Sequence, residues 1–316
     1  MSARTFLGLD GGGTKTDAVL IDGCAHEVAR ATAGPSNYHS VGQETAQASL
    51  QAAVRHVLSR ADLTWDAVEA IGLGMAGVAR PKDHQVVREL LARIAPLIYT
   101  VITHDAETAL VGGTGRRYGA VLIAGTGAIA YGINARGETR RADGWGYLLG
   151  DKGSGYWIGR EALRATARAC DGRGPQTGLQ NRIFDGLGLS ACDELVSRVY
   201  ASGLSVPEIA ALAPSVQSTA EQGDPVARDI LCRAGEGLGH SLCTVINGLD
   251  MDDQTFQVVL LGGILSAEGL VREAVVAALQ ASAPNATVIR PQHDAAFGAA
   301  LLARDLWLSQ EGKANE

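Results

Sequence analysis

The sequence predicts an α/β protein built from two duplicated lobes with a cleft between them, and three observations carry that prediction. A strand, a glycine-rich turn and a second strand occur twice, as FLGLDGGGTKTDAVLID (Phe6–Asp22) and AVLIAGTGAIAYGIN (Ala120–Asn134). An apolar strand running into an amphipathic helix also occurs twice: VEAIGLGMAG (Val68–Gly77) before HQVVRELLARI, and FQVVLLGGIL (Phe256–Leu265) before GLVREAVVAAL. Each series then closes on His-Asp ahead of an alanine-rich helix, with His104-Asp105 in ITHDAETALVGG and His293-Asp294 in RPQHDAAFGAALLA. Three matched elements in one order point to an internal repeat. Strands alternating with helices predict a mixed sheet in each lobe with helices on its faces.

The first lobe is expected to span 1–118 plus 295–316, the last helix returning across it by analogy with other two-lobed proteins, and the second lobe 119–294. The first half inserts Ser36-Asn37-Tyr38 and a helix over Glu44–Arg60. The second carries a largely helical insertion from Asp143 to Asp250. Within it, Asp224–Gly248 shows an apolar face (Val226, Ile230, Leu231, Ala234, Leu238, Leu242, Val245) opened by Asp-Pro, a helix-start signal.

With 316 residues the chain can bury two cores, and 46% hydrophobic against 19% charged residues mark it as globular. A net charge of −7 and no basic stripe argue against nucleic acid as a partner. No apolar run reaches the ~18 residues of a membrane span, and no leader is read before the first strand, so a cytoplasmic protein without a membrane partner is expected. Cys24, Cys170, Cys192, Cys232 and Cys243 form no C-x-x-C pair, which predicts neither a disulfide framework nor a zinc or iron–sulfur site.

Gly11, Gly12, Gly13, Thr14, Lys15 and Thr16 follow an apolar strand. Consecutive glycines let backbone N–H groups converge on phosphate oxygens. A Walker loop would continue into a helix, whereas Thr16–Ile21 alternates as a strand, so a phosphate-gripping hairpin turn is predicted. Gly125, Thr126 and Gly127 are its counterpart. They also fit G-x-G-x-x-A, but the dinucleotide fingerprint again demands a helix where Ile129–Ile133 reads as a strand. Two such turns at matched positions could close on one triphosphate. Gly262 and Gly263, at the end of the matched strand, would let backbone lie against adenine or ribose. Gly235, Gly237 and Gly239 inside the long helix fit close packing or nucleotide contact equally.

Asp105 ends a strand and heads a helix, where a carboxylate could accept a hydroxyl proton during phosphoryl transfer or simply cap the helix. Asp294, its duplicate, reads as a cap. Asp10, beside the first turn, is placed to hold Mg²⁺ directly or through water. The stretch Asp143–Trp157 concentrates Trp145, Tyr147, Tyr156 and Trp157 among glycines. Rings there can face sugar C–H bonds and Asp151 can accept from hydroxyls; aromatic core packing is the alternative.

Together LDGGGTKT, PSN, GLGMAG, THDA, LIAGTGA, DGWGYLLGDKGSGYWIG and LLGG resemble the N-acetylglucosamine kinases of the BadF/BadG/BcrA/BcrD ATPase-type family, within the actin and hexokinase superfamily. The resemblance implies ribonuclease H-like (actin-like ATPase) lobes and ATP-dependent phosphorylation of the 6-hydroxyl of N-acetylglucosamine. It implies Asp105 as the base, Asn37 and Asp151 on sugar hydroxyls, and Gly77, Gly127, Trp145 and Gly146 completing the sugar pocket. It implies Gly11–Thr16 and Gly125–Gly127 on the phosphates, with ATP and Mg²⁺ as cosubstrate and cofactor. A homodimer is an expectation by analogy alone.

Lys152 stands where the family's Gly-Asp-Glu-Gly-Ser has glutamate. This leaves glucosamine and N-acetylmuramic acid as alternative sugars, depending on where the lysine points. An activator ATPase of the same fold would need interface cysteines for an iron–sulfur cluster. A sugar-responsive repressor would need a DNA-binding domain before the first strand. A non-catalytic sugar sensor differs from a kinase only in turnover.

Overall fold

The computed structural model describes residues 4–78, 81–95, 99–201, 203–266 and 268–314. It divides into one unit of Met1–Tyr118 with Arg290–Glu316 and a second of Gly119–Ile289. Among the described residues each unit holds one five-stranded mixed sheet.

In the first unit, β1 (Thr5–Gly11), β2 (Thr16–Asp22) and β3 (Glu27–Ala33) form an antiparallel meander. Next come helix α1 (Tyr38–Ala61), β4 (Val68–Met75), α2 (Pro81–Ala92), β5 (Tyr99–His104) and α3 (Asp105–Thr114). β4 and β5 extend the sheet in parallel from β1, giving the order β3-β2-β1-β4-β5. Period-two alternation buries both faces. Leu7, Leu9, Leu20 and Leu73 join the core that includes Leu50, Val54 and Val57 of α1. Phe6, Val19, Ile21 and Ala70 join the core of the C-terminal helix with Phe297 and Trp307.

Glycine sets how closely that C-terminal helix can approach the sheet. A Cβ on Gly8 would lie 2.0 Å from Ala296 O, and one on Gly72 would lie 1.9 Å from Ala299 O. No side chain fits there.

The second unit begins with β6 (Gly119–Ala124), β7 (Ala128–Ile133) and β8 (Thr139–Asp143). The helical insertion follows as α4 (Gly155–Cys170), α5 (Leu179–Leu187), α6 (Glu194–Val196), α7 (Val206–Ala210), α8 (Ala213–Glu221) and α9 (Pro225–Asn247). β9 (Phe256–Leu261), α10 (Gly263–Ser266), α11 (Leu270–Ser282) and β10 (Ala286–Ile289) complete it, and the C-terminal helix α12 (Ala295–Ala314) belongs to the first unit. The sheet order β10-β9-β6-β7-β8, with the same parallel and antiparallel pairings, repeats that of the first unit. This is the duplication written in backbone.

α1 starts six residues before the predicted Glu44, because Asn37 caps it through a bond accepted from His39 N, and it kinks at Gly42. α9 opens as predicted, with Asp224 accepting from Val226 N and Ala227 N ahead of Pro225. Its glycines serve packing. A Cβ on Gly235 or Gly239 would meet Ala274 or Ala278 of α11 at 2.6 and 2.7 Å, and Gly237 receives the stem of Lys152.

Contrary to the expectation of no disulfide, two of the five cysteines pair. Cys170 and Cys192 form a disulfide with Cα atoms 5.8 Å apart. The chain folds back after α4 and brings a distant cysteine to its end, a proximity that spacing along the sequence does not reveal. Cys24, Cys232 and Cys243 are free.

Candidate active site

Register gathers the first unit's candidate residues at one sheet end. Gly11 pairs with Met75 across β1 and β4, and Met75 pairs with His104 across β4 and β5. The carboxyl ends of three parallel strands therefore lie side by side, which is where open α/β sheets bind ligands. Asp10, Gly77 and Asp105 share that edge although nearly a hundred residues separate the first from the last.

Hydrogen bonds weave the loops together. Gly12 O accepts from Ser36 N and Asn37 N, both at 3.0 Å, and Ala76 N donates to Gly11 O at 3.2 Å. Thr16 is fully buried, its hydroxyl donating to Gly34 O at 2.7 Å and bonded to Ser36 Oγ at 2.8 Å, so it backs the turn. Gly13, Thr14 and Lys15 are exposed. Lys15 Nζ lies 2.6 Å from Asp17 Oδ2, and that carboxylate raises the lysine's pKa. A Cβ on Gly77, whose φ is +83°, would lie 3.0 Å from His39 Cδ2 and 3.8 Å from Asn37 Oδ1. Gly77 and Asn37 thus face one corner.

The His-Asp pairs differ between the repeats. His104 is the N-cap of α3 and Asp105 its first residue; Ala106 N approaches His104 Nδ1 at 3.1 Å and Asp105 Oδ1 at 2.9 Å. Asp294 is a cap, accepting from Phe297 N at 3.0 Å, and also binds Arg30. No described residue donates to Asp105 Oδ2.

The Asp10 carboxyl takes no hydrogen bond from any described residue. Burial, then the charges of Asp105, Asp17 and Asp294, push its carboxyl up to about 7, with Lys15 opposing. A carboxyl held above its unfolded value near 3.8 stabilises the fold at low pH, and that contribution is lost as pH rises from about 4 to about 7. Asp10→Asn should therefore stabilise the ligand-free protein at pH 8 by ~2–4 kcal/mol and change little at pH 4. Melting curves at both pH values, without nucleotide or divalent cation, test this; equal effects at the two would refute it.

In the second unit, Gly125–Gly127 links β6 and β7, and Ile123 pairs with Leu261, which brings Gly262-Gly263 beside the turn. The head of α4 abuts it, Gly155 N donating to Gly125 O at 2.7 Å. Gly262 (φ +90°) is required by the fold, since its Cβ would lie 2.2 Å from Ala124 O. Gly125 and Gly263 are not: a Cβ on either would meet nothing within 4 Å. Both line a cavity of about 470 Å³ whose walls include Ile158, Pro207, Ala210 and Leu231, with Gln217 and Arg272 as polar members. Flat apolar walls beside a glycine turn suit a nucleobase and its phosphates. Sequence reasoning missed these wall residues, which come from five helices (α4, α7, α8, α9 and α11) and share no motif.

Asp151 is buried beneath the same turn, its Oδ2 lying 2.7 Å from where a Gly127 Cβ would be. Burial, then Asp143, raises its pKa against hydrogen bonds from Ala128 N and Gly146 N. Oδ1 is buried with no partner among the described residues. Asp143 Oδ1 accepts from Asp151 N at 2.5 Å and steadies a residue at φ +58°. Gly127, Gly146 and Asp151 therefore come together. Trp145 is 62% exposed with the Arg141 guanidinium over its ring, whereas Trp157 packs in the core.

The family model of the BadF/BadG/BcrA/BcrD ATPase family matches residues 7–303. The chain belongs to this family. N-acetyl-D-glucosamine kinase of Dictyostelium discoideum is 37% identical over 314 residues, covering 96% of this chain and 98% of that protein. N-acetylmuramic acid/N-acetylglucosamine kinase of Clostridium acetobutylicum is 33% identical over 301 residues, covering 95% and 98%. A crystal structure from Chromobacterium violaceum, provisionally assigned as an N-acetylglucosamine kinase, superposes with a TM-score of 0.75 at 30% identity, covering 96% of this chain and 99% of that one. The doubled sheet is the actin-like ATPase fold that this family shares with other sugar kinases. Among the described residues no helix is long and apolar enough to cross a membrane.

Proposed function

We propose that this family member is a kinase that transfers the terminal phosphoryl group of ATP to the 6-hydroxyl of N-acetylglucosamine. The reading is carried by Asp105, a carboxylate at the sheet end shared with the Asp10–Lys15 turn, whose Oδ2 accepts from no described residue. In the proposed step the sugar O6 forms a bond to phosphorus, the bond to the ADP oxygen breaks, and Asp105 takes the hydroxyl proton. Asn37 uses Oδ1 to cap α1, which leaves Nδ2 to donate to a sugar hydroxyl. Asp151 Oδ1 accepts from another. Gly125, Thr126 and Gly263 bound the nucleotide cavity, where backbone can approach phosphate and ribose closely.

Asp10 fits a magnesium role, since a divalent cation would offset both the burial and the neighbouring carboxylates that raise its pKa. Among the described residues no group of three His, Cys, Asp or Glu could hold a metal, so phosphate and water would complete the shell. Bound there, the ion would neutralise charge developing on the phosphates.

Specificity wide enough for N-acetylmuramic acid is the second reading, favoured by the Clostridium acetobutylicum relative. Lys152 does not bear on it, because its stem lies along Gly237 of α9 while Asp151 turns to Gly127. Lys152→Glu should leave the relative kcat/KM of N-acetylglucosamine and N-acetylmuramic acid within about threefold of wild type; a larger change would place the lysine at the sugar.

ADP release measured with N-acetylglucosamine, N-acetylmuramic acid, glucosamine and glucose tests the proposal. The highest kcat/KM is expected for N-acetylglucosamine, and ADP release indifferent to all four would discard it. Gly125→Ala tests the nucleotide half. The side chain fits without strain, so the melting temperature should hold while KM for ATP rises about tenfold, equivalent to ~1.4 kcal/mol. An unchanged KM would move the phosphates elsewhere.

A further inference from the structure

We propose that His104 is a positioning residue for Asp105: its Nδ1 carries a proton shared with Asp105 Oδ1, which fixes the carboxylate and leaves Oδ2 for the substrate hydroxyl. The inference rests on the reading of Asp105 as the base. His104 Nδ1 and Asp105 Oδ1 lie 2.6 Å apart, with the imidazole 18% exposed. Two bare lone pairs would repel at that distance, and a proton on Nδ1 would relieve that repulsion. The Ala106 N–H does not compel the other tautomer, because it is nearer Asp105 Oδ1 (2.9 Å) than His104 Nδ1 (3.1 Å).

The repeat supplies an internal control. His293-Asp294 is the same dipeptide at the same point of the duplicated unit, yet its side chains make no such contact. His293 stacks on Phe297 with ring centroids 3.7 Å apart, and Asp294 caps α12 and binds Arg30. Adjacency in sequence therefore does not enforce the contact at 104–105. Held at Oδ1 by His104 and Ala106, the Asp105 carboxylate is restrained in rotation, which a base aligned with an in-line attack requires.

Two substitutions separate positioning from capping. Serine is a strong N-cap but too short to bridge to Asp105; asparagine both caps and offers an amide N–H. With ATP and N-acetylglucosamine, His104→Ser should lower kcat about tenfold or more, with both KM values within about twofold and the melting temperature held. His104→Asn should recover most of that loss. A residue that only caps predicts wild-type kcat in both variants, and that result would overturn the proposal. Nitrogen NMR of the wild-type imidazole reads the same point without substitution: a proton on Nδ1 is expected, and an Nε2–H tautomer with bare Nδ1 would overturn it even if the serine variant failed to fold. Asp105→Asn in the same assay keeps the two readings distinct. If it stays active the base assignment falls and takes this inference with it; if it is inactive while His104→Ser is fully active, only this inference falls.

Discussion

Asp105→Asn should lower kcat by about 10²-fold or more while ATP binds within about threefold of wild type. The substitution keeps the shape of the side chain and an oxygen to accept from Ala106 N, so α3 should start where it does now. What it removes is the proposed acceptor for the sugar's proton. It also removes the largest charge acting on Asp10, whose pKa should then fall from about 7 toward the ordinary carboxylate range. Steady-state kinetics and isothermal titration with ATP check the two halves. A variant with comparable turnover would take Asp105 out of the base role. Loss of ATP binding would mean that the damage lies in the fold.

Asp151→Asn should lower kcat/KM for N-acetylglucosamine by about 10²-fold, or ~2.7 kcal/mol, with KM for ATP within about twofold. Asparagine keeps the shape and tolerates the left-handed conformation at φ +58°. It cannot serve Ala128 N, Gly146 N and a sugar hydroxyl with two carboxylate oxygens as aspartate can. Stability should hold or rise, because the wild-type carboxylate is buried with one oxygen unpaired. A parallel loss of melting temperature and activity would instead make Asp151 a structural residue.

Much of this was legible in the residues. The repeats of strand, glycine turn and strand, and of strand into helix, became two sheets of one topology because alternating apolar residues and turn glycines are local signals. His-Asp at 104–105 and 293–294 marked both helix starts for the same reason. What the chain could not show locally was convergence. The walls of the cavity beside the Gly125–Gly127 turn come from α4, α7, α8, α9 and the chain around α10 and α11, each with ordinary apolar residues whose meeting depends on how helices pack. Cys170 and Cys192 likewise meet only through the return of the chain after α4. The glycines of α9 were ambiguous until α11 was seen against them, and Lys152 until its stem was seen on Gly237. Thr16 carried a ligand-like position in the motif, yet its hydroxyl is spent on Gly34 and Ser36.

The most direct measurement is phosphorus NMR of the protein with ATP, Mg²⁺ and N-acetylglucosamine. A phosphomonoester signal coupled to the two C6 protons is expected, growing in step with ADP and absent when sugar is withheld. ADP formed at the same rate with or without sugar, and no ester signal, would contradict it.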